Sequence, residues 1–170
     1  MVDVQNDFCP GGALAVPGGD EIVGAVNRLA TEAPPVIATR DWHPPDHRSF
    51  VEEGGTWPVH CVRETAGAQL HPDLHASLDM IIDKGQAREH EGYSGFGGTG
   101  LERLLRERGV DTVHVVGLAL DYCVKATALD AREAGFDVVV HREATRAVNV
   151  EPGDDERAVA DLRAAGVEVR

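Results

Sequence analysis

Hydrophobic positions change their period several times along the 170-residue chain. Short runs rich in Val and Ile at residues 1–4, 35–40, 79–83, 112–117, 136–141 and 167–169 predict six strands. Helical spacing fills the intervals. Ile22, Val23, Val26 and Leu29 share one face of a helix over residues 21–32, with Asp20 as its expected cap. Leu101, Leu104 and Leu105 repeat the pattern ahead of Gly109. Two further helices, over residues 121–134 and 154–165, stop at Gly135 and Gly166. The β-α-β rhythm predicts an α/β fold: a three-layer, doubly wound, mostly parallel six-stranded sheet with helices on both faces. No repeat or linker interrupts it, so one domain over residues 1–170 is expected. Two segments break the rhythm, residues 41–73, rich in Pro, His and Trp, and residues 86–99, rich in Gly. Long irregular segments in a compact domain are usually functional, and ligands of open α/β sheets bind beyond the carboxyl ends of the strands.

Composition narrows the class. Forty-two per cent of residues are hydrophobic, enough for a folded core, and the formal net charge of -13 opposes phosphate backbones and anionic membrane surfaces. No apolar run has the length of a membrane span, so neither nucleic acid nor membrane is an expected partner. The first seven residues lack the basic region and apolar core of a signal peptide, so a cytoplasmic location is expected. The three cysteines, Cys9, Cys61 and Cys123, are far apart and odd in number, which indicates neither a disulfide framework nor a Cys-rich zinc site.

Reactive side chains collect where the predicted strands end: Asp3 in the first, Asp41 and His43 after the second, Lys84 after the third, Cys123 after the fourth. Cys123 falls in the first turn of a predicted helix, where unpaired N–H groups lower a thiol's pKa and can hold an oxyanion. Lys84 ends the strand Met80-Ile81-Ile82, where a cation favours neighbouring carboxylate and thiolate. Asp3, between Val2 and Val4, needs a partner if buried. Asp41, His43, His47 and His60 offer one carboxylate and up to three imidazoles, a set suited to Zn²⁺, Fe²⁺ or Mn²⁺ with open positions. Each feature also has a plainer reading: buried inert thiol, solvated lysine, Asp on a frayed chain start, histidines on a polar loop. His71, His75, His90, His114 and His141 lack comparable partners in the sequence.

Taken together, the words Val2-Asp3-Val4-Gln5-Asn6-Asp7-Phe8, Arg40-Asp41-Trp42-His43, Trp57-Pro58-Val59-His60-Cys61, Asp83-Lys84-Gly85, Tyr93-Ser94-Gly95-Phe96 and Gly117-Leu118-Ala119-Leu120-Asp121-Tyr122-Cys123 resemble the nicotinamidases, or pyrazinamidases, of the isochorismatase-like cysteine hydrolases. They occur in family order over nearly the whole chain. The resemblance implies a catalytic triad of Asp3, Lys84 and Cys123, and a divalent ion, Zn²⁺ first and Fe²⁺ or Mn²⁺ after it, on Asp41, His43 and His60. His47 matches a fourth ligand seen in some members. It implies an oxyanion hole from the N–H groups of Ala119 and Cys123, with a cis peptide before Ala119. Phe8 and Trp57 match rings that flank the substrate, with Tyr93, Leu118 and Tyr122 beside them. The implied reaction converts nicotinamide to nicotinic acid and ammonia through a thioester, extends to pyrazinamide, and recycles nicotinamide towards NAD. A homo-oligomer is a further implication. The family has more apolar residues ahead of the match to Val2, so a short first strand is expected. Two rivals stand: a related amidohydrolase acting on a carbamoyl or other small amide, and a non-catalytic metal- or ligand-binding protein.

Overall fold

A computed structural model describes residues 1–170. Five strands form, β1 (Ile37–Asp41), β2 (Met80–Lys84), β3 (Thr112–Leu118), β4 (Asp137–Arg146) and β5 (Glu168–Val169). The helices are α1 (Val23–Glu32), α2 (Leu101–Glu107), α3 (Lys125–Glu133) and α4 (Asp154–Ala164). β1 pairs with β2, and β3 with β4 and β4 with β5, all in parallel. The two groups meet at Val2, which bridges in parallel to Thr39 on one side and Gly117 on the other.

The sixth expected strand, over residues 1–4, is thus a single bridging residue. Asp3 turns to φ +47°, a left-handed conformation that a strand does not contain, so the extended run stops at Val2. Gly117 lets Val2 in: a Cβ there would stand 1.9 Å from the Val2 carbonyl oxygen, and its φ is +121°.

Alternation along the strands sends side chains to two cores. Val115, Val138 and Val140 join Leu105, Val124, Ala128, Val159 and Leu162 under α2, α3 and α4. Val116, Leu118 and Ala144 join Val4, Phe8, Ile22 and Val26 on the α1 side. Helices therefore cover both faces, as period-2 burial on a parallel sheet requires.

Some local expectations change. Asp20 does not cap α1; it lies in a 3-10 turn, Gly19–Ile22, that runs straight into the helix. The single helix expected over residues 121–134 divides into a π-helical turn, Leu120–Val124, and α3, because the N–H groups of Tyr122 and Val124 both donate to the Ala119 carbonyl. β2 lies at the sheet edge, which leaves Met80 and Ile81 exposed and buries only Ile82 of that apolar run.

Candidate active site

In the β1–β2 register, Asp41 lies opposite Lys84, so both side chains leave the carboxyl end of the sheet on the same face. Arg40 and Asp83, one residue earlier, form the equivalent pair on the other face at 2.5 Å. The Lys84 ammonium is fully buried. It donates to Asp41 Oδ1 at 2.6 Å and to the Gly92 carbonyl at 2.6 Å, lies 2.8 Å from Asp3 Oδ2, and reaches Cys123 Sγ at 3.6 Å. One cation thus touches both carboxylates and the thiol. Asp3 Oδ1 accepts the Thr39 hydroxyl at 2.7 Å, while Oδ2 has the Lys84 ion pair but no aligned hydrogen bond. Carboxylate oxygens of Asp3 and Asp41 and the Cys123 sulfur all lie within 4.8 Å of one another.

Burial drives the titration of this group. It pushes the Asp3 carboxyl above its usual range, with Lys84 opposing and Asp41 adding to the rise. Burial also works on Asp41, but there the Lys84 ammonium wins, helped by His43, and holds the carboxyl well below the usual range. Lys84 is held well above its usual value, since Asp3 and Asp41 outweigh its desolvation. Burial pushes the Cys123 thiol up as well, with Lys84 pulling the other way. The acidifying effect expected of a helix end thus meets an opposing one: burial favours the protonated sulfur, Lys84 favours the thiolate, and the carboxylate beside it is that of Asp3.

A second cluster adjoins the first through Asp41. Ligand atoms of Asp41, His43 and His60 lie within 4.8 Å of one another, and all three residues are buried. His43 Nδ1 faces the Gly85 carbonyl at 2.9 Å and His60 Nδ1 faces the Pro58 carbonyl at 2.8 Å. A carbonyl can only accept, so each Nδ1 carries a proton, and Nε2 is the nitrogen each ring can offer to a metal ion. His43 Nε2 stands 3.5 Å from Asp41 Oδ2. Gly85 makes room for this imidazole: its φ is +63°, and a Cβ there would lie 2.4 Å from His43 Cε1. Burial also lowers the His60 pKa, which favours the neutral ring. Two imidazoles whose Nε2 atoms converge beside a carboxylate held ionised fit a divalent ion with open positions.

His47, the expected fourth ligand, stands outside the Asp41, His43 and His60 group. Its ring stacks on His43 with centroids 4.0 Å apart, but its Nε2 meets the His90 carbonyl and its Nδ1 the Ser49 hydroxyl, both at 2.8 Å. One nitrogen is thus partnered within its own loop and the other by the glycine-rich segment across from it. Phe50, which sequence reasoning missed, fixes this group: its fully buried ring meets His43, His47 and His60 with centroids 5.8, 5.7 and 5.4 Å away. The apolar pair Phe50-Val51, set between charged Asp46-His47-Arg48 and Glu52-Glu53, was the available signal.

One pocket reaches both clusters, the first of them through Cys123 and Asp41, with Asp3 and Lys84 buried behind. Cys123, Ala119, Asp41, His43 and His60 line it together with Phe8, Trp57, Tyr93 and Tyr122. The Leu118–Ala119 peptide is cis. Trp57 Nε1–H donates to the Tyr93 hydroxyl at 2.9 Å, and both rings rest on Tyr122. Leu118 is corrected: it is fully buried in the α1-side core and does not line the pocket. Leu14, Val16 and Val148 supply apolar wall that sequence reasoning did not assign, because nothing local distinguishes them from core residues. His114 and His141 meet each other across β3 and β4 at 2.9 Å and join neither cluster.

Fold and site together are those of an α/β cysteine hydrolase. The chain matches the isochorismatase domain family over residues 1–170. It is 41% identical over 192 aligned positions to the nicotinamidase of Escherichia coli (strain K12), an alignment covering 98% of this chain and 90% of that one. The pyrazinamidase of Pyrococcus horikoshii in complex with zinc superposes with a TM-score of 0.92 at 44% identity, covering 100% of this chain and 96% of that one. PnC1 from L. infantum in complex with nicotinate superposes with a TM-score of 0.94 at 41% identity, covering 100% and 89%. The chain belongs to the isochorismatase-domain family and, within it, to the nicotinamidases.

Proposed function

We propose that the protein hydrolyses nicotinamide to nicotinic acid and ammonia, takes pyrazinamide by the same route, and uses Asp3, Lys84 and Cys123 as its catalytic triad. The observation that carries this reading is one pocket in which the Cys123 thiol, backed by buried Asp3 and Lys84, shares a wall with Asp41, His43 and His60. Aromatic walls from Phe8, Trp57 and Tyr122 suit a flat heteroaromatic ring, and Tyr93 sets the Trp57 indole through its hydroxyl.

Asp41, His43 and His60 would hold one divalent ion, and Zn²⁺ suits two imidazoles and a carboxylate best, with Fe²⁺ and Mn²⁺ as alternatives. When bound, the ion supplies a Lewis-acidic anchor for a pyridine-type nitrogen. Asp3 Oδ2, the oxygen without an aligned hydrogen bond, takes the thiol proton as the sulfur bonds to the carboxamide carbon. N–H groups of Ala119 and Cys123 face the negative oxygen that results. Asp3 then protonates the departing nitrogen, the C–N bond breaks, ammonia leaves and a Cys123 thioester remains. Water deprotonated by Asp3 attacks that thioester; its carbon–sulfur bond breaks, Asp3 returns the proton to sulfur, and the acid departs. Throughout, Lys84 balances whichever of Asp3 and Cys123 is negative.

The test is ammonia release from nicotinamide before and after chelation, with Zn²⁺, Fe²⁺ and Mn²⁺ restored singly. Release that stops on chelation and returns with one ion supports the reading and names the ion. No release with any ion, but release from a carbamoyl amide, transfers the site to that substrate class.

A further inference from the structure

We propose that Gln5 and Asp7 are positioning residues for the divalent-metal set, Gln5 through the backbone of Asp41 and Asp7 through the residue that follows His60; the inference rests on the metal reading above. Gln5 is completely buried and does not line the pocket. Its Oε1 accepts the Asp41 N–H at 2.7 Å, and its Nε2 donates to the Asp41 carbonyl at 2.9 Å. The same Nε2 donates to the Ala68 carbonyl at 2.9 Å. A side-chain amide here does the work of a neighbouring strand. β2 pairs with β1 along one edge, whereas on the other edge the only bridge is Val2 to Thr39, two residues short of Asp41.

The orientation of the Asp41 peptide decides where its carboxylate points. One oxygen is committed to Lys84 at 2.6 Å and the other faces His43 Nε2 at 3.5 Å. Rotation of that peptide would disturb both contacts at once. Gln5, by gripping N–H and C=O together, removes that freedom.

Asp7 does the corresponding work on the irregular side of the site. His60 belongs to a loop, and its neighbour Cys61 has φ +45°, in the left-handed region. The Cys61 N–H donates to Asp7 Oδ2 at 2.7 Å, while the Cys61 carbonyl accepts the His43 N–H at 3.0 Å. Asp7 Oδ1 accepts the Ala13 N–H at 3.2 Å. Asp7 and the His43 backbone thereby fix the peptide groups on both sides of Cys61. The main chain of the same short segment completes the jig: the Asp7 N–H donates to the Gly67 carbonyl, the Asn6 N–H to the Gln69 carbonyl, and Gln5 bridges to Leu70. Gly67 is tied to this arrangement, since a Cβ there would stand 2.2 Å from the Asp7 carboxylate.

The experiment compares the full chain with Gln5→Glu and Asp7→Asn. Gln5→Glu keeps the acceptor for the Asp41 N–H but loses the donor to the Asp41 and Ala68 carbonyls; Asp7→Asn keeps one carbonyl acceptor where two oxygens now serve two N–H groups. Zn²⁺ affinity is measured by competition with a chromophoric chelator, the visible absorption of the Co²⁺-loaded protein reports ligand geometry, and melting of the metal-free protein reports folding. We expect Zn²⁺ binding to weaken roughly 10- to 100-fold in each variant, with a changed Co²⁺ spectrum in the folded protein. Variants that melt earlier yet bind Zn²⁺ as the parent does, with an unchanged Co²⁺ spectrum, would overturn the inference and leave the metal site standing. If Gln5→Glu does not fold, Asp7→Asn decides alone. A parent chain that binds no Zn²⁺ overturns the metal reading and this inference with it.

Discussion

At the scale of single residues, burial raises the pKa of Asp3 and Cys123, while the buried ion pairs hold Lys84 above and Asp41 below their usual values against it. Cys123, Asp3 and Lys84 sit where water cannot stabilise a charge, and each is held by the other two. Cys123→Ser places a still less acidic hydroxyl beside the same carboxylates. Ammonia release should fall by at least about 1,000-fold while Zn²⁺ binding persists, and near-parental turnover would sink the nucleophile assignment. Lys84→Met leaves Asp3 and Asp41 buried without their shared cation. Chemical denaturation should show a loss of about 3–5 kcal/mol at neutral pH, since removing one partner strands the others. That loss should shrink on acidification, because an Asp3 whose folded pKa is raised destabilises least when protonated. The residue types and spacings of Asp3, Asp41, His43, His60, Lys84 and Cys123 were legible in the sequence; the occupied nitrogens of His47 and the burial of Leu118 were not. Both depend on carbonyls and side chains remote in the chain, such as that of His90.

At the scale of elements, the sheet carries the chemistry because its register brings sequence-distant strand ends together. Asp41 and Lys84 meet because β1 and β2 pair in parallel without a shift, and Cys123 arrives on the π-helical turn that leaves β3. The weak joint is Val2, the one residue that links β1 to β3. Gly117→Ala would drive a methyl into the Val2 carbonyl at 1.9 Å, against backbone that cannot swing aside. It should destabilise the protein by more than about 2 kcal/mol in denaturant melts and disturb Asp3, the next residue. An unchanged midpoint would show that Val2 is not a joint. Periodicity located β1 to β5 and the four helices to within a few residues, except that β4 runs five residues further than expected, to Arg146, and residues 1–4 make only a bridge. The strand failed at Asp3 because functional geometry there overrides the β-propensity of its valine neighbours.

At the scale of the whole molecule, an acidic protein with net charge -13 concentrates its buried imidazoles in one cage around Asp41. Burial lowers the pKa of His47 and His60 below 6.5. Between those folded values and 6.5 the unfolded chain binds more protons, so their contribution to stability is complete above about pH 6.5 and is lost as pH falls through the folded values. Metal-free protein should therefore denature at lower urea concentration at about pH 5.5 than at about pH 7.5, and saturating Zn²⁺ should widen the difference, because it binds His60 as the neutral ring and so stabilises the folded protein more at the higher pH. A midpoint that does not fall on acidification would contradict this. Asp41 adds a further loss only at lower pH: its folded pKa is depressed, so its stabilisation is full above the ordinary value of 3.8 and is lost progressively as pH falls from there through the folded value. The sequence by itself determined the α/β rhythm, the strand ends at which chemistry gathers, and the motif set that marks the family, because periodicity and local spacing are properties of neighbouring residues. Tertiary structure alone decided that one lysine serves two carboxylates and a thiol, that Gln5 stands in for a strand beside Asp41, and that Phe50 wedges three histidines. Those contacts join residues tens of positions apart, and only the closed fold brings them within reach.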